Sequence, residues 1–279
     1  MAKIKKAYNY SSGRQIWRLI PDNNNKLIIE ERDTSTKEVF FNCLDINSGK
    51  KIFLDFQLEE KYWIGIETIY NDIIIFHKYA SRDMPEHDEI IAFNINSKKI
   101  LWQNNDYIFL FICNDKIYCY RNKFEGRDFF SLDFKTGSLL ESLGDDSKPV
   151  NSLRENAFNP VNAGGYLFPE PYNSKPAEDS YAGKYFEQFK SGNNIAGKIE
   201  FIETEEIIFF NCHHVATGGN LKNIFRAIEI SSKKIILEET LNFSTNVFIP
   251  DCFFIKDGLL FLLIEKVKLK VCSLKNSYH

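Results

Sequence analysis

The stretch "HKYASRDMPEHDE", which begins at His77, concentrates side chains that could do chemistry. Two histidines stand ten positions apart in it, with carboxylates and an arginine between them. Zinc and iron sites are built from His, Cys and carboxylate side chains at short fixed spacing, or from side chains that the fold brings together. No recognised spacing occurs here, so we expect a polar loop braced by Arg–carboxylate pairs, and no metal site. The candidate residues of this loop are His77, Arg82, Asp83, Glu86 and His87.

A second pair of histidines, His213 and His214, stands in the run "NCHHVATGG". Adjacent residues on an extended strand point to opposite faces, so only one of the two can address a given site. The glycines that follow give the backbone freedom, but the run lacks the Lys-Ser/Thr ending and the strand-to-helix setting of a phosphate-binding loop. We therefore expect a flexible loop beside the histidines.

Two charged residues, Arg18 in "IWRLI" and Glu67 in "WIGIETIY", interrupt runs that are otherwise apolar. Paired carboxylates carry out glycoside hydrolysis in several folds. A single acid on an inner strand is too few for that chemistry, and we expect these charges to be solvated.

The composition predicts a folded protein without a strong charge bias. Of the 279 residues, 44% are hydrophobic and 26% are charged, and the formal net charge is -3. Nucleic-acid binding usually requires a basic excess, so we expect no nucleic-acid partner. We find no signal peptide and no apolar run long enough to cross a membrane, which predicts a cytoplasmic protein without a membrane partner. The six cysteines form no C-x-x-C pair and are expected to be buried and reduced.

A repeated hairpin pattern predicts the fold. Four segments place period-2 apolar residues around a turn of Asn, Ser, Thr, Gly and Lys: "FFNCLDINSGKKIFLDF", "IIAFNINSKKILWQ", "FFSLDFKTGSLLESL" and "IFRAIEISSKKIILEE". This is the chemistry of an antiparallel hairpin. The first three turns are about 49 and about 39 residues apart, which is near the length of a four-stranded propeller blade.

A further hairpin precedes each of these four, and a fifth lies near the end of the chain, where "KVKLKVCSL" adds a third strand. The strand "KIKKAYNYS" at the other end has no partner of its own. An all-β ring must close or leave exposed edges. We therefore predict a five-bladed β-propeller, closed by pairing of the amino-terminal strand with the last blade. An open β-sandwich is the alternative.

The blade turns "LDINSGKKIF" and "FNINSKKILW" resemble the repeats of quinoprotein-dehydrogenase-like propellers. From about residue 14 to 143 the chain is also similar to an uncharacterised bacterial propeller family, through "IWRLIPD", "EERDTSTKEVFFNCLD", "EKYWIGIE", "DMPEHDEIIAF" and "FEGRDFFSLD". This resemblance implies the propeller fold and no established activity. The chain has no Cys-Cys pair and no export signal, so we expect no quinone and no other cofactor.

The segment 144–197 interrupts the repeat within a predicted single domain of residues 1–279. It holds five of the eight prolines, together with many aromatic residues that argue against disorder. We predict an insertion or lid between blades three and four, with a short helix at "EDSYAGKYFEQFK". A degenerate sixth blade is the alternative.

In a meander of four strands, the longer connections gather on one face of the ring, and varied loops on a rigid scaffold usually carry function. We predict a binding module for a protein or a small polar ligand on this face. The alternative is a hydrolase or lyase acting on a polar, carbohydrate-like substrate, and an acid within hydrogen-bond reach of a histidine would favour it. The binding-face candidates are Arg18, Trp63, Glu67, His77, Arg82, Asp83, Glu86, His87, Arg121, Glu125, Arg127, His213 and His214.

Overall fold

The computed structural model describes residues 3–81, 84–157, 164–172 and 181–275. These residues form 22 strands in five antiparallel sheets, and two α-helices. The chain divides into two compact units. The central unit comprises Arg14–Ile46 and Lys50–Gly164, and the terminal unit comprises Met1–Gly13, Asn47–Gly49 and Gly165–His279.

The central unit contains three sheets of four strands, and in each sheet the strands lie in chain order. Each sheet is therefore an antiparallel meander, as the hairpin repeat predicts. The first sheet is β2 (Gln15–Pro21), β3 (Lys26–Arg32), β4 (Val39–Asp45) and β5 (Lys51–Phe56). The second is β6 (Ile64–Tyr70), β7 (Ile73–Ser81), β8 (Met84–Asn94) and β9 (Lys99–Asn104). The third is β10 (Ile108–Cys113), β11 (Lys116–Asn122), β12 (Arg127–Asp133) and β13 (Leu139–Gly144).

The terminal unit contains two sheets of five strands. One has the order β1 (Lys3–Tyr10), β22 (Lys268–Lys275), β21 (Leu259–Ile264), β20 (Phe253–Lys256) and β14 (Tyr166–Leu167). The other has the order β15 (Glu170–Pro171), β16 (Ile195–Glu203), β17 (Ile207–Val215), β18 (Leu221–Glu229) and β19 (Lys234–Thr245). Strand β1 runs antiparallel to β22, with Ile4 opposite Leu274. The predicted pairing of the amino-terminal strand with the last sheet is confirmed.

The shortest turns have the chemistry that their sequence predicts. Asn71 and Asp72, which join β6 to β7, both adopt positive φ, of 46° and 64°. The same holds for Asn114 and Asp115 between β10 and β11. Two successive residues at positive φ define the hairpin turn whose twist matches that of the strands, and Asn and Asp tolerate this conformation well.

The core of the central unit lies on both faces of the second sheet. Successive side chains of a strand point to opposite faces, so β7 contributes Ile74 and Phe76 to one cluster and Ile75 to another. The rings of Phe41 and Phe76 lie 4.6 Å apart, and both are fully buried. Each such side chain stabilises the fold by roughly 1.5–3 kcal/mol. These strands therefore position the polar residues at their ends rigidly.

The described part of segment 144–197 is built into the units. Helix α1 (Ser147–Ala157) packs Val150 against the third sheet. In the terminal unit, β14 is an edge strand of one sheet and β15 is an edge strand of the other. Helix α2 (Tyr181–Ser191) confirms the helix predicted at "EDSYAGKYFEQFK". Its Phe186 is buried against Phe210 of β17, with ring centroids 5.1 Å apart. The described residues of the segment form no sixth sheet, and a role as a lid stays a prediction.

All six cysteines are free thiols, and five of them are buried. Neither α-helix in the described part of the chain has the length and apolar character needed to cross a membrane.

Candidate functional site

The stretch that begins at His77 is a hairpin arm and not a loop. Strand β7 continues to Ser81 and β8 begins at Met84, so His77 and His87 both lie on strands. The prediction of a polar loop is therefore wrong over most of its length, because polar side chains near the connected end of a hairpin resemble loop residues. Two of the predicted candidates, Arg82 and Asp83, lie outside the described residues.

Two β-bulges lie on either side of β7 at this place. In β6, Ile66 and Glu67 both stand opposite Phe76, so Glu67 is the extra residue. In β8, Ile90 stands opposite His77 and Asp88 stands opposite Lys78, so Glu89 is the extra residue. Its φ is 54°. Bulges change the direction of nearby side chains and are common beside functional sites. They explain why residues from three strands meet here.

Glu67, His77 and His87 form a compact group, the His–Glu–His cluster. The Oε1 atom of Glu67 lies 2.6 Å from Nδ1 of His87 and 3.1 Å from Nδ1 of His77. The two imidazole rings are stacked, with centroids 3.6 Å apart and planes 6° from parallel. The side chain of His77 is 3% exposed and that of Glu67 is 13% exposed, whereas that of His87 is 35% exposed. One histidine is therefore enclosed and the other reaches solvent.

The surroundings hold the two rings in place. Gly65 stands opposite His77, and a Cβ atom at Gly65 would come within 2.9 Å of Cε1 and Nε2 of the ring. The ring of Tyr79 meets both imidazoles edge-on, at 4.9 Å and 5.4 Å. The predicted candidate Arg18 donates a hydrogen bond to the carbonyl oxygen of Ile66, the residue before the carboxylate. A side chain at position 65 would therefore displace the His77 ring.

The charge state of the cluster follows from its contacts. Burial alone would raise the pKa of Glu67, but contact with His77 and attraction to both histidines lower this pKa below its usual range. Burial lowers the pKa of His77, and the contact with Glu67 only partly opposes this effect. Two imidazolium rings in stacking contact would repel each other strongly. The cluster therefore holds an ionised carboxylate and a neutral His77.

The hydrogen bond between Glu67 and His87 fixes the tautomer of His87. An ionised carboxylate only accepts hydrogen bonds, so the 2.6 Å contact requires a proton on Nδ1 of His87. Nε2 of a neutral His87 then carries a lone pair, and no described residue bonds to it. The 3.1 Å contact between Nδ1 of His77 and Glu67 does not meet hydrogen-bond geometry, and neither ring nitrogen of His77 has a hydrogen-bond partner among the described residues.

The cluster also has the composition of a metal site. Among the residues that the structure describes, it is the one group of three potential ligand side chains whose ligating atoms all lie within 4.8 Å of one another. Two histidines and a carboxylate suit zinc or iron(II). Parallel rings, however, hold their lone pairs in parallel planes, so one ion could lie in the planes of both imidazoles only after one ring turns. The expectation of no metal considered the hairpin stretch alone, because Glu67 lies on another strand.

The other central-unit candidates occupy different places. Arg127 lies over the ring of Tyr120, at 4.1 Å from its centroid, and Arg121 lies over the ring of Phe130. Glu86 and Glu125 are exposed. Trp63 lines a groove of about 630 Å³ with eight other residues. Among the candidates that the structure describes, three come together, and only these three place an acid beside histidines.

His213 and His214 lie in the terminal unit on β17. The ring of His213 is buried and accepts a hydrogen bond at Nε2 from the backbone N–H of Ile249, at 3.2 Å. His214 is partly exposed, and its Nε2 lies 3.3 Å from Sγ of Cys212. Burial lowers the pKa of both histidines. Their different surroundings fit the prediction that neighbouring residues of a strand address opposite faces.

A buried polar network that contains none of the predicted candidates lies in the same sheet as His213. Asn211 donates to Oδ1 of Asn223 at 3.1 Å, and Asn223 donates to Sγ of Cys252 at 3.5 Å. Glu200 stands opposite Asn211, and burial raises its pKa. An asparagine inside the apolar run "IIFFNC" was the signal for this network.

Sequence and structure comparisons add a family resemblance over part of the chain. The family profile described as "Domain of unknown function (DUF4905)" matches residues 20–102, a range that contains the complete His–Glu–His cluster. The resemblance to an uncharacterised family is thus supported for this range, and the description assigns no activity. A search of curated proteins finds no match.

Solved structures give weak similarities. The chain is similar to a europium-containing methanol dehydrogenase, with 10% identity, a TM-score of 0.34, and coverage of 95% of this chain and 52% of that one. It therefore spans about half the length of that protein. It is also similar to a DUF4221 family member from Bacteroides vulgatus, with 11% identity, a TM-score of 0.35 and 98% coverage of both chains. The uncharacterised protein lmo1340 from Listeria monocytogenes shares 13% identity, with a TM-score of 0.34 and coverage of 90% and 75%. These similarities support no assignment of function.

Proposed function

We propose that the protein is an enzyme in which His87 acts as a general base towards a small polar substrate, within the hydrolase or lyase class. The observation that carries this proposal is the 2.6 Å contact between Oε1 of Glu67 and Nδ1 of His87. A carboxylate on one ring nitrogen holds the imidazole in a fixed tautomer and stabilises the charge that forms when the other nitrogen takes a proton. An acid within hydrogen-bond reach of a histidine is the arrangement that favours an enzyme over a binding module.

The two histidines have separate roles in this proposal. His87 is partly exposed, so its Nε2 can meet a substrate, whereas His77 is enclosed and stays neutral. The stacked ring of His77 fixes the plane of His87, and Tyr79 limits the movement of both rings. His77 is therefore a positioning residue. A substrate proton taken up at Nε2 of His87 gives an imidazolium ion that faces the ionised Glu67.

Activity screening with matched variants tests the proposal. Chromogenic esters and glycosides, together with uronic-acid oligosaccharides for lyase activity, would be tested with wild type, His87→Gln and Glu67→Gln. General-base catalysis contributes about 10²–10⁴-fold to a rate, so we expect each variant to lose activity on that scale. His214→Gln, which changes a partly exposed histidine of the terminal unit, should retain full activity. Activity that survives in His87→Gln would contradict the proposal.

A divalent metal is the second candidate occupant of the cluster, because three ligating atoms lie within 4.8 Å of one another. Elemental analysis and activity assays of the purified protein, before and after dialysis against a chelator, distinguish a metal centre from a metal-free general base. One equivalent of metal in wild type, lost in both Glu67→Gln and His87→Gln, would favour a metal centre. Full activity after chelation would favour the base.

We also propose that the five sheets are the blades of a five-bladed β-propeller. The support is the repeat of four consecutive strands and the pairing of β1 with β22. A crystal structure tests this proposal, and an open arrangement of the sheets would overturn it.

A further inference from the structure

The central unit also carries a groove of about 630 Å³. No residue of the His–Glu–His cluster lines this groove. Pockets of about 300–1,000 Å³ are typical of small-molecule sites. Three large aromatic side chains line it, and all are exposed: Trp17 at 54%, Tyr62 at 45% and Trp63 at 37%. Two of the three tryptophans of the chain are therefore held at one surface groove. Exposed aromatic groups that share a concave surface usually contact a ligand.

The backbone fixes these aromatic side chains. Trp17 is the extra residue of a β-bulge in β2, between the partners of Glu30 and Glu31. The N–H groups of Tyr62 and Trp63 both donate to Oε1 of Glu60, at 2.7 Å and 3.0 Å. The groove is thus preorganised, which lowers the entropy cost of binding.

Each charged group that lines the groove is already engaged within the protein. Arg32 pairs with the buried Glu30 at 3.2 Å, and its guanidinium lies 4.5 Å from the ring centroid of Trp17. Asp33 accepts hydrogen bonds from the backbone of its own turn, and Nζ of Lys37 donates to the carbonyl oxygen of Thr34. These charges balance, because Glu30 offsets Arg32 and Asp33 offsets Lys37, so the lining together with Glu30 has no net charge. A strongly ionic ligand is therefore disfavoured.

The uncharged polar side chains of the lining carry amide and hydroxyl groups. Gln15, Thr34 and Thr36 line the groove beside the aromatic side chains. A sugar ring combines an apolar C–H face, which stacks on aromatic rings, with hydroxyl groups that exchange hydrogen bonds with amides, hydroxyls and guanidinium N–H groups. We propose that this groove binds a neutral saccharide. The proposal uses none of the His–Glu–His cluster and does not depend on its chemistry.

A glycan array and fluorescence titration test this proposal. The array would carry neutral oligosaccharides of glucose, mannose, galactose, xylose and N-acetylglucosamine, with uronic-acid oligosaccharides as the charged comparison. Trp102, the remaining tryptophan, donates from Nε1 to the carbonyl oxygen of Phe134 and does not line the groove. In a Trp102→Phe variant, tryptophan emission therefore reports the groove alone.

We expect a neutral oligosaccharide to bind and to change the emission of the Trp102→Phe variant. Trp17→Ala and Trp63→Ala should each weaken binding by about tenfold or more, as for central aromatic contacts. Trp102→Phe should bind like wild type, and circular dichroism would show that every variant is folded. Three results would each overturn the proposal: no neutral glycan bound, binding of charged glycans only, or unchanged affinity in a folded Trp17→Ala/Trp63→Ala double variant.

Discussion

Two strands, one in each unit, place a buried polar residue at the same position after four apolar residues. Strand β7 of the central unit has His77 in "IIIFH", and β17 of the terminal unit has Asn211 in "IIFFN". Both residues are at most 2% exposed. The residue opposite His77 is Gly65, whereas the residue opposite Asn211 is Glu200. The same strand position therefore supports two different kinds of site.

The difference lies in what each carboxylate meets. A bulge brings Glu67 against two imidazoles, and these contacts lower its pKa despite burial. Glu200 meets an amide and is near Asp251, and burial raises its pKa. A carboxylate in a partly buried site is thus ionised where histidines contact it, and is more readily protonated where its neighbours are an amide and a second carboxylate. The first arrangement can orient a base, and the second cannot.

The largest structural effect should come from filling the space opposite His77. Gly65→Val would place methyl groups where a Cβ atom alone already comes within 2.9 Å of the imidazole. We expect a loss of about 2–3 kcal/mol in the free energy of unfolding, as for overpacked cores. Chemical denaturation measures it. Gly192→Ala is the control, because a Cβ atom at Gly192 meets nothing within 4 Å; equal losses in the two variants would contradict the account.

Removing the two carboxylates one at a time should separate the sites. Glu67→Gln leaves the two imidazoles without their anion, and we expect the free energy of unfolding at neutral pH to fall by about 1–2 kcal/mol. Glu200→Gln removes a charge that burial disfavours, so we expect no loss or a small gain. Thermal and urea unfolding would compare the two variants. A larger loss of unfolding free energy in Glu200→Gln than in Glu67→Gln would contradict the different roles of the two carboxylates.

The same two variants should show opposite, smaller trends with pH. The pKa of Glu67 is lowered in the folded state, so its contribution is present above the unfolded pKa of about 4.3 and is lost as pH falls through the folded pKa. The pKa of Glu200 is raised, so wild type should gain stability relative to Glu200→Gln as pH falls from above that raised value towards about 4.3. Unfolding free energies would be measured from about pH 7 to about pH 3. The difference between wild type and Glu67→Gln should become smaller as the pH falls, and wild type should become more stable relative to Glu200→Gln. Parallel curves would contradict both assignments.

Most of the strands and hairpins could be predicted from the sequence, but less of the candidate site could be. Turn residues such as Asn71 and Asp72 indicate a hairpin in the sequence, because few residue types adopt positive φ readily. His77 and His87 were identifiable as candidates, and Glu67 as an unusual charge in an apolar strand. Their meeting was not predictable, because it depends on bulges at Glu67 and Glu89 that shift the register by one residue on each side of β7. Period-2 reasoning assumes an unbroken register.

The most direct test of the central claim is the tautomer of His87, observed by ¹⁵N NMR of the histidine side chains at neutral pH. His87→Gln would assign the signal by its absence, and His214→Gln would serve as the matched control. We expect a proton on Nδ1 and an unprotonated Nε2 in wild type, with this preference lost in Glu67→Gln. A proton on Nε2, with Nδ1 bare, would contradict the hydrogen bond to Glu67 and the role of His87 as a base.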